Sequence, residues 1–155
     1  MVERDVSPNF KPEKPARNET TNQRRGRLNK QKGHRKQSLA RKALEDLFGS
    51  EALFHGRKAN EEAWTHLPVR VEVKAGAQVK PIETRFLAAE KQADAAKATG
   101  DMRPFFFIAM PDGMTDGILT CRLQALRELG VVDVPECLEG QLFMCRLSEV
   151  KELLG

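Results

Sequence analysis

An acidic and a basic side chain stand two residues apart in a segment that has the pattern of a strand. Over residues 69–74, valines alternate with Arg70, Glu72 and Lys74, a period of two that is typical of a half-buried β-strand. If the valines face a core, Glu72 and Lys74 project together from the other face. A carboxylate can bind a hard divalent cation, and a nearby lysine can orient water and stabilise charge on a phosphate. The pair therefore suits metal-dependent phosphodiester cleavage, although any amphipathic strand can carry an exposed Glu-x-Lys pair.

The elements around this pair indicate an α/β domain. A helical apolar stripe predicts a helix that begins near residues 33–38 and ends at Phe48, and a second stripe predicts a helix over residues 81–99. The apolar run 105–110 is typical of a central strand covered on both faces. Two further strands, each followed by a short helix, are expected at 117–123 and 142–147. Together they predict a mixed sheet of four or five strands with helices on both faces.

The net charge of +4 combines a basic amino-terminal region with an acidic remainder. Residues 1–42 hold 13 of the 26 Lys and Arg residues but only 4 of the 22 Asp and Glu residues. The first 33 residues are rich in Pro and Asn and poor in large apolar residues, so we expect a disordered arm at 1–33 and one domain at 34–155. Such an arm suits a DNA partner, because Lys and Arg displace counterions from phosphates; a solubilising tail is the alternative. The candidate DNA-binding residues are Arg24, Arg25, Arg27, Lys30, Lys32, Arg35 and Lys36.

Some classes of protein are disfavoured by composition. No segment has the length and apolarity of a membrane span, and the amino terminus lacks a signal-peptide pattern, which predicts an intracellular, cytoplasmic protein without a membrane partner. The three cysteines are odd in number and lack Cys-x-x-Cys spacing. Reduced thiols are therefore expected, and neither a disulfide framework nor a zinc site is indicated.

The order of these features resembles the PD-(D/E)XK nuclease superfamily, and more closely the small phage nucleases often labelled Holliday junction resolvases. The resemblance covers roughly residues 32–123. It is carried by Asn60-Glu61-Glu62-Ala63-Trp64, the strand with Val71-Glu72-Val73-Lys74, Arg85, Ala89-Glu90, Gln92, Arg103-Pro104-Phe105 and Met110-Pro111-Asp112-Gly113. It implies a restriction-endonuclease-like core that hydrolyses DNA, including branched or Holliday-junction DNA, with Mg²⁺ or alternatively Mn²⁺. Resolution of a branched substrate would require two active sites and hence a homodimer.

The same resemblance implies roles for individual residues. Glu72 would be the main metal ligand, and Lys74 would orient the attacking water. Where the family usually places an Asp before this strand, the chain offers only Glu61 or Glu62, one of which would substitute. The implied metal ligands are Glu72, Glu61 or Glu62, and the backbone carbonyl of Val73.

For three further residues the sequence leaves two possible roles open. In such nucleases the first helix often presents a catalytic Glu toward the metal. Gln37 stands where relatives show that Glu, so Glu45 would take the catalytic role, with a capping or surface role as the alternative. Gln92 matches a Gln on the helix after the lysine strand, and it would either reach the site or face water. Arg70 shares a strand face with Glu72 and would contact a phosphate or pair with a neighbouring Glu.

These departures from the family pattern also leave a second function open. A nucleic-acid-binding protein that keeps the nuclease-like fold but has a degraded site would explain both the missing Asp and Gln37. Cleavage of DNA is the first expectation, and binding without cleavage is the alternative.

Overall fold

The computed structural model describes residues 20–49 and 64–155. Within them the helices and strands follow in the order α1 (Thr21–Phe48), β1 (Arg70–Gly76), α2 (Ile82–Lys97), β2 (Phe105–Pro111), β3 (Ile118–Arg122), α3 (Leu123–Glu128), β4 (Leu142–Arg146) and α4 (Val150–Leu154). Single 3₁₀ turns lie at Ala77–Val79, Glu136–Leu138 and Leu147–Glu149.

The four described strands form one mixed sheet in the order β1-β2-β3-β4. β1 and β2 are parallel, whereas β3 and β4 each pair antiparallel with the strand before them. The parallel pair is joined through α2, as a parallel connection requires a crossover element. Its register places Glu72 beside Phe107 and Lys74 beside Ala109. The predicted mixed sheet is confirmed, with four strands in the described part of the chain.

Helices cover both faces of this sheet, as predicted. On one face, α1, α3 and α4 contribute to a core that includes Val71 and Val73 of β1 and Phe106 and Ile108 of β2. On the other face, Phe86 and neighbouring alanines of α2 pack against alternate residues of β2. Every residue of β2 is buried, which explains why its sequence is continuously apolar instead of alternating.

α1 begins much earlier than its apolar stripe predicts. Its first residue is Thr21, and Thr20 and Gln23 form a reciprocal capping box at that end. Residues 21–33, for which disorder is expected from composition, are therefore helical; residues 1–19 lie outside the described part. The capping pattern Thr-x-x-Gln was present in the sequence, but the polar stretch after it carries no apolar periodicity to reveal a helix. At the other end, Gly49 adopts φ 65° and donates its N–H to the Glu45 carbonyl, as predicted for a C-terminal glycine.

Candidate active site

β1 presents two different faces, in agreement with its alternating sequence. Val71 and Val73 are buried on the side of α1, whereas Glu72 and Lys74 project toward α2. The Lys74 ammonium lies 2.7 Å from Glu72 Oε1. The Glu72 side chain is 22% exposed and that of Lys74 is 56% exposed, so a ligand from solvent can reach both. The strand itself sets this proximity, because residues i and i+2 stand on the same face.

An open cleft of about 360 Å³ lies between this face of β1 and α2. Four polar side chains line it, namely Glu72 and Lys74 from the strand and Arg85 and Gln92 from the helix. Arg85 and Gln92 project from nearly the same side of α2, because helix positions seven residues apart differ by only about 20° around the axis. Ala88 and Ala89 also line the cleft, and their small side chains leave room that larger ones would fill.

Of these four residues, Gln92 was a candidate site residue from the sequence and Arg85 was not. Gln92 was expected either to reach the site or to face water, and the structure places it in the cleft with Glu72. Arg85 was part of the family pattern but was not singled out as a site residue. Its spacing of seven from Gln92, with the alanines between, was the signal that could have placed it there.

Glu45 lies on the opposite side of the sheet from Glu72. Its side chain is only 3% exposed on α1, which packs on the valine face of β1. Its Oε1 accepts a hydrogen bond from Arg41 at 2.9 Å and lies 2.9 Å from His66 Nε2. A buried carboxylate needs such partners to offset its lost hydration. The structure therefore places Glu45 apart from Glu72, where it joins α1 to the segment that enters β1.

Arg70 belongs to an ion-pair network beyond the cleft. Its Nη1 lies 3.2 Å from Asp101 Oδ2, and Arg103 approaches the same carboxylate through two nitrogens at 2.9 Å. The hydrogen bonds from Arg103, more than the contact with Arg70, hold the pKa of Asp101 far below its usual value, against the opposing effect of burial. Of the alternatives for Arg70, the structure shows a carboxylate partner, and that partner is an Asp instead of the expected Glu.

Arg103 also organises the chain that leads into β1. Its Nη1 donates to the backbone carbonyls of Trp64, Leu67 and Val69 at 2.9, 3.1 and 3.2 Å. Because Asp101 fixes the other side of the guanidinium, this one side chain ties the entry of β1 to the start of β2. Sequence reasoning noted Arg103 only as part of the family pattern.

The candidate DNA-binding residues of α1 separate into two groups. The exposed ones are Arg24, Arg25, Arg27, Lys30, Lys32 and Arg35. Lys36, in contrast, is only 12% exposed and directs its ammonium to the carbonyls of Met110 and Pro111 and to Asp112 Oδ1. Lys36 therefore holds α1 against the end of β2 and has few donors left for DNA. Lys32 also contacts Asp112, at 2.6 Å, but remains 55% exposed.

A second concave surface, of about 280 Å³, lies where α1 passes the ends of β1 and β2. Lys32, Gly33 and Lys36 of α1 face Gly76 and Asp112 across it. Ala75 lines both this surface and the cleft that contains Glu72 and Lys74. The two concave surfaces thus meet at Ala75, near the carboxyl end of β1.

The expected second acid cannot be located. Glu61 and Glu62 lie outside the described residues, so their distance from Glu72 is not defined. Within 20–49 and 64–155, no three His, Cys, Asp or Glu side chains come close enough together to hold a metal ion. The described part thus supplies one candidate carboxylate, Glu72, and the strand residue Val73 next to it.

Comparisons with known proteins return no relative. No family model, no curated protein and no solved structure matches this chain. In the part of the chain described here, none of the helices combines the length and apolarity needed to cross a membrane.

Proposed function

We propose that this protein is a metal-dependent endonuclease that hydrolyses DNA, with branched or Holliday-junction DNA among its candidate substrates. The observation that carries the proposal is the Glu72–Lys74 pair, 2.7 Å apart, in an open cleft that α2 completes with Arg85 and Gln92. The order of β1, α2 and a parallel β2 is compatible with a restriction-endonuclease-like core, and the sequence resemblance to PD-(D/E)XK nucleases adds support.

Oxygen donors are what Mg²⁺ and Mn²⁺ prefer, and the partly exposed Glu72 carboxylate fits that preference. Glu72 and the Val73 carbonyl would hold the ion together with Glu61 or Glu62. When bound, the metal supplies Lewis acidity and offsets negative charge on the phosphate.

The residues of the cleft have distinct roles in this scheme. The Lys74 ammonium, 56% exposed, orients water toward the phosphate and stabilises negative charge in the transition state. The Arg85 guanidinium binds a phosphate oxygen, since its planar set of donors matches that geometry. The Gln92 amide can donate to the same phosphate or accept from water.

The exposed cations of α1 bind the DNA backbone in this proposal. They form a run without any acidic residue between Glu19 and Glu45. Binding through such contacts is strongly salt-dependent, with log K falling by roughly 0.9 per decade of salt for each phosphate contacted. A homodimer would bring two clefts to a branched substrate, and the mass in solution by light scattering tests that part separately.

The decisive experiment compares cleavage of a four-way junction and a linear duplex by the full chain with Mg²⁺. We expect Glu72→Gln and Lys74→Met each to lower the cleavage rate by on the order of 100-fold or more. Glu83→Gln and Lys91→Met are matched controls, because these exposed α2 residues lie outside the cleft lining. Cleavage that survives both cleft substitutions would overturn the proposed site. Binding without cleavage by the wild-type protein would favour the non-catalytic alternative.

A further inference from the structure

Asp112 connects the basic half of α1 to the sheet. Its carboxylate accepts from Lys32 Nζ at 2.6 Å and from Lys36 Nζ at 3.3 Å. Its backbone N–H donates to the Gly76 carbonyl at 3.3 Å, so the residue is fixed to the end of β1. One aspartate thereby joins the helix to the ends of both parallel strands.

Lys36 needs this carboxylate more than an exposed lysine would. Only 12% of its side chain is accessible, and its other partners are the neutral carbonyls of Met110 and Pro111. A poorly hydrated ammonium requires a compensating charge as well as hydrogen bonds. Among the described contacts of Lys36, Asp112 is the partner that supplies it.

The helix on the amino-terminal side of these lysines is exposed to solvent, and it begins with the Thr20–Gln23 capping box. Residues 20–32 are all exposed, and the segment contains Gly26, which lowers helix stability by about 1 kcal/mol relative to Ala. In proteins most helical stability comes from tertiary packing and not from intrinsic propensity. The contacts at Lys32 and Lys36 are therefore placed where they can keep residues 21–36, named here the basic arm, helical and fixed in direction.

We infer that Asp112 is a positioning residue that holds the basic arm helical beside the mouth of the Glu72 cleft, and that DNA binding depends on it. Ala75 lines both the concave surface beside the arm and the cleft, so the two lie next to each other at the carboxyl end of β1. The inference rests on the proposed function for its DNA partner, but the effect of Asp112 on the arm does not.

Asp112→Asn tests the inference through the sign of its effect on DNA affinity. Removal of a negative charge beside a basic surface should by itself strengthen binding to a polyanion. Loss of the positioning contact should instead weaken binding, by roughly tenfold, and make its dependence on salt shallower because fewer cations engage phosphates. Fluorescence anisotropy with a labelled duplex in Ca²⁺, at several salt concentrations, measures both quantities.

Two variants serve as controls. Asp46→Asn removes a similar carboxylate from an α1 ion pair, since Asp46 lies 3.0 Å from Lys151 at the other end of the helix, and it should leave affinity unchanged. Asp112→Glu keeps the charge and should recover part of the wild-type affinity. Affinity that rises or stays constant in Asp112→Asn would overturn the inference.

Hydrogen exchange of the free protein separates this result from the nuclease proposal. In Asp112→Asn, amides of residues 21–36 should exchange faster, while those of residues 40–48 keep their protection. Equal protection of the arm in wild type and variant would overturn the positioning role. Absence of cleavage by the wild-type protein would overturn the nuclease proposal without affecting this measurement.

Discussion

Lys74 Nζ lies 2.7 Å from Glu72 Oε1, on the face of β1 that turns away from α1 and toward α2. The contact joins two side chains of one strand, so it depends little on the rest of the fold. Its surroundings do depend on the fold, because α2 brings Arg85 and Gln92 to the same cleft.

Filling the cleft should block its function without unfolding the protein. Ala88→Phe places a large ring between α2 and the Glu72 face of β1, and we expect cleavage to fall by at least about tenfold, since a near-attack geometry is lost when substrate shifts by about 1 Å. Ala95→Phe is the matched control, because it makes the same substitution on an exposed α2 position outside the cleft lining. Equal activity of the two variants would show that substrate does not use this cleft.

Glu45 should contribute to stability instead of catalysis. Glu45→Ala removes the buried carboxylate that accepts from Arg41 and lies beside His66, and we expect the free energy of unfolding to fall by about 1–3 kcal/mol. Urea unfolding followed by the fluorescence of Trp64, which is 1% exposed, measures this loss. Glu45→Gln, assayed at a temperature where it is folded, should cleave DNA at the wild-type rate. A Glu45→Gln protein that is stable but inactive would support the catalytic role instead.

The Asp101–Arg103 network should stabilise the fold down to acid pH. Asp101→Asn should lower the free energy of unfolding by about 1.5–3 kcal/mol at neutral pH, because it weakens charge-assisted hydrogen bonds to Arg103. The folded-state pKa of Asp101 is lowered from its ordinary value, so the contribution is present above that ordinary pKa and is lost as pH falls through the folded-state pKa. The difference between wild type and Asp101→Asn should thus be constant from about pH 8 to pH 5 and shrink below about pH 4. A difference that grows in acid would contradict this assignment.

The cysteines should differ strongly in reactivity. Cys137 is exposed, whereas burial raises the pKa of the Cys121 thiol to about 12 and that of Cys145 to about 11. Since the thiolate is the reactive form, Cys137 should react first with a disulfide reagent at about pH 8. Cys137→Ser should remove the fast phase, and Cys121 should react only on unfolding. A fast phase that persists in Cys137→Ser would indicate that β3 or β4 opens readily.

Local sequence patterns predicted much of the framework. The alternation around Val71 and Val73 correctly predicted a strand with one buried and one polar face, because a period of two follows from backbone geometry alone. The apolar run that became β2 was correctly predicted to be covered on both faces. The second helix, predicted over 81–99, is α2 at Ile82–Lys97.

The extent of α1 was harder to predict, for a physical reason. Residues 21–33 bury no apolar face, so the apolar periodicity that reveals buried helices is absent from this segment. The contacts of Lys32 and Lys36 with Asp112 span 80 and 76 positions of sequence. No local pattern reports such long-range pairing.

The sequence by itself determined that Glu72 and Lys74 stand together on the polar face of a strand, because neighbouring positions on one face are set by the chain's own geometry. Only the tertiary structure decided which other side chains join or leave them. It brings Arg85 and Gln92 of α2 to the cleft and places Glu45 across the sheet with Arg41 and His66. The reason is that the packing of a helix on one face of a sheet or the other depends on the whole core, and not on any short segment of sequence.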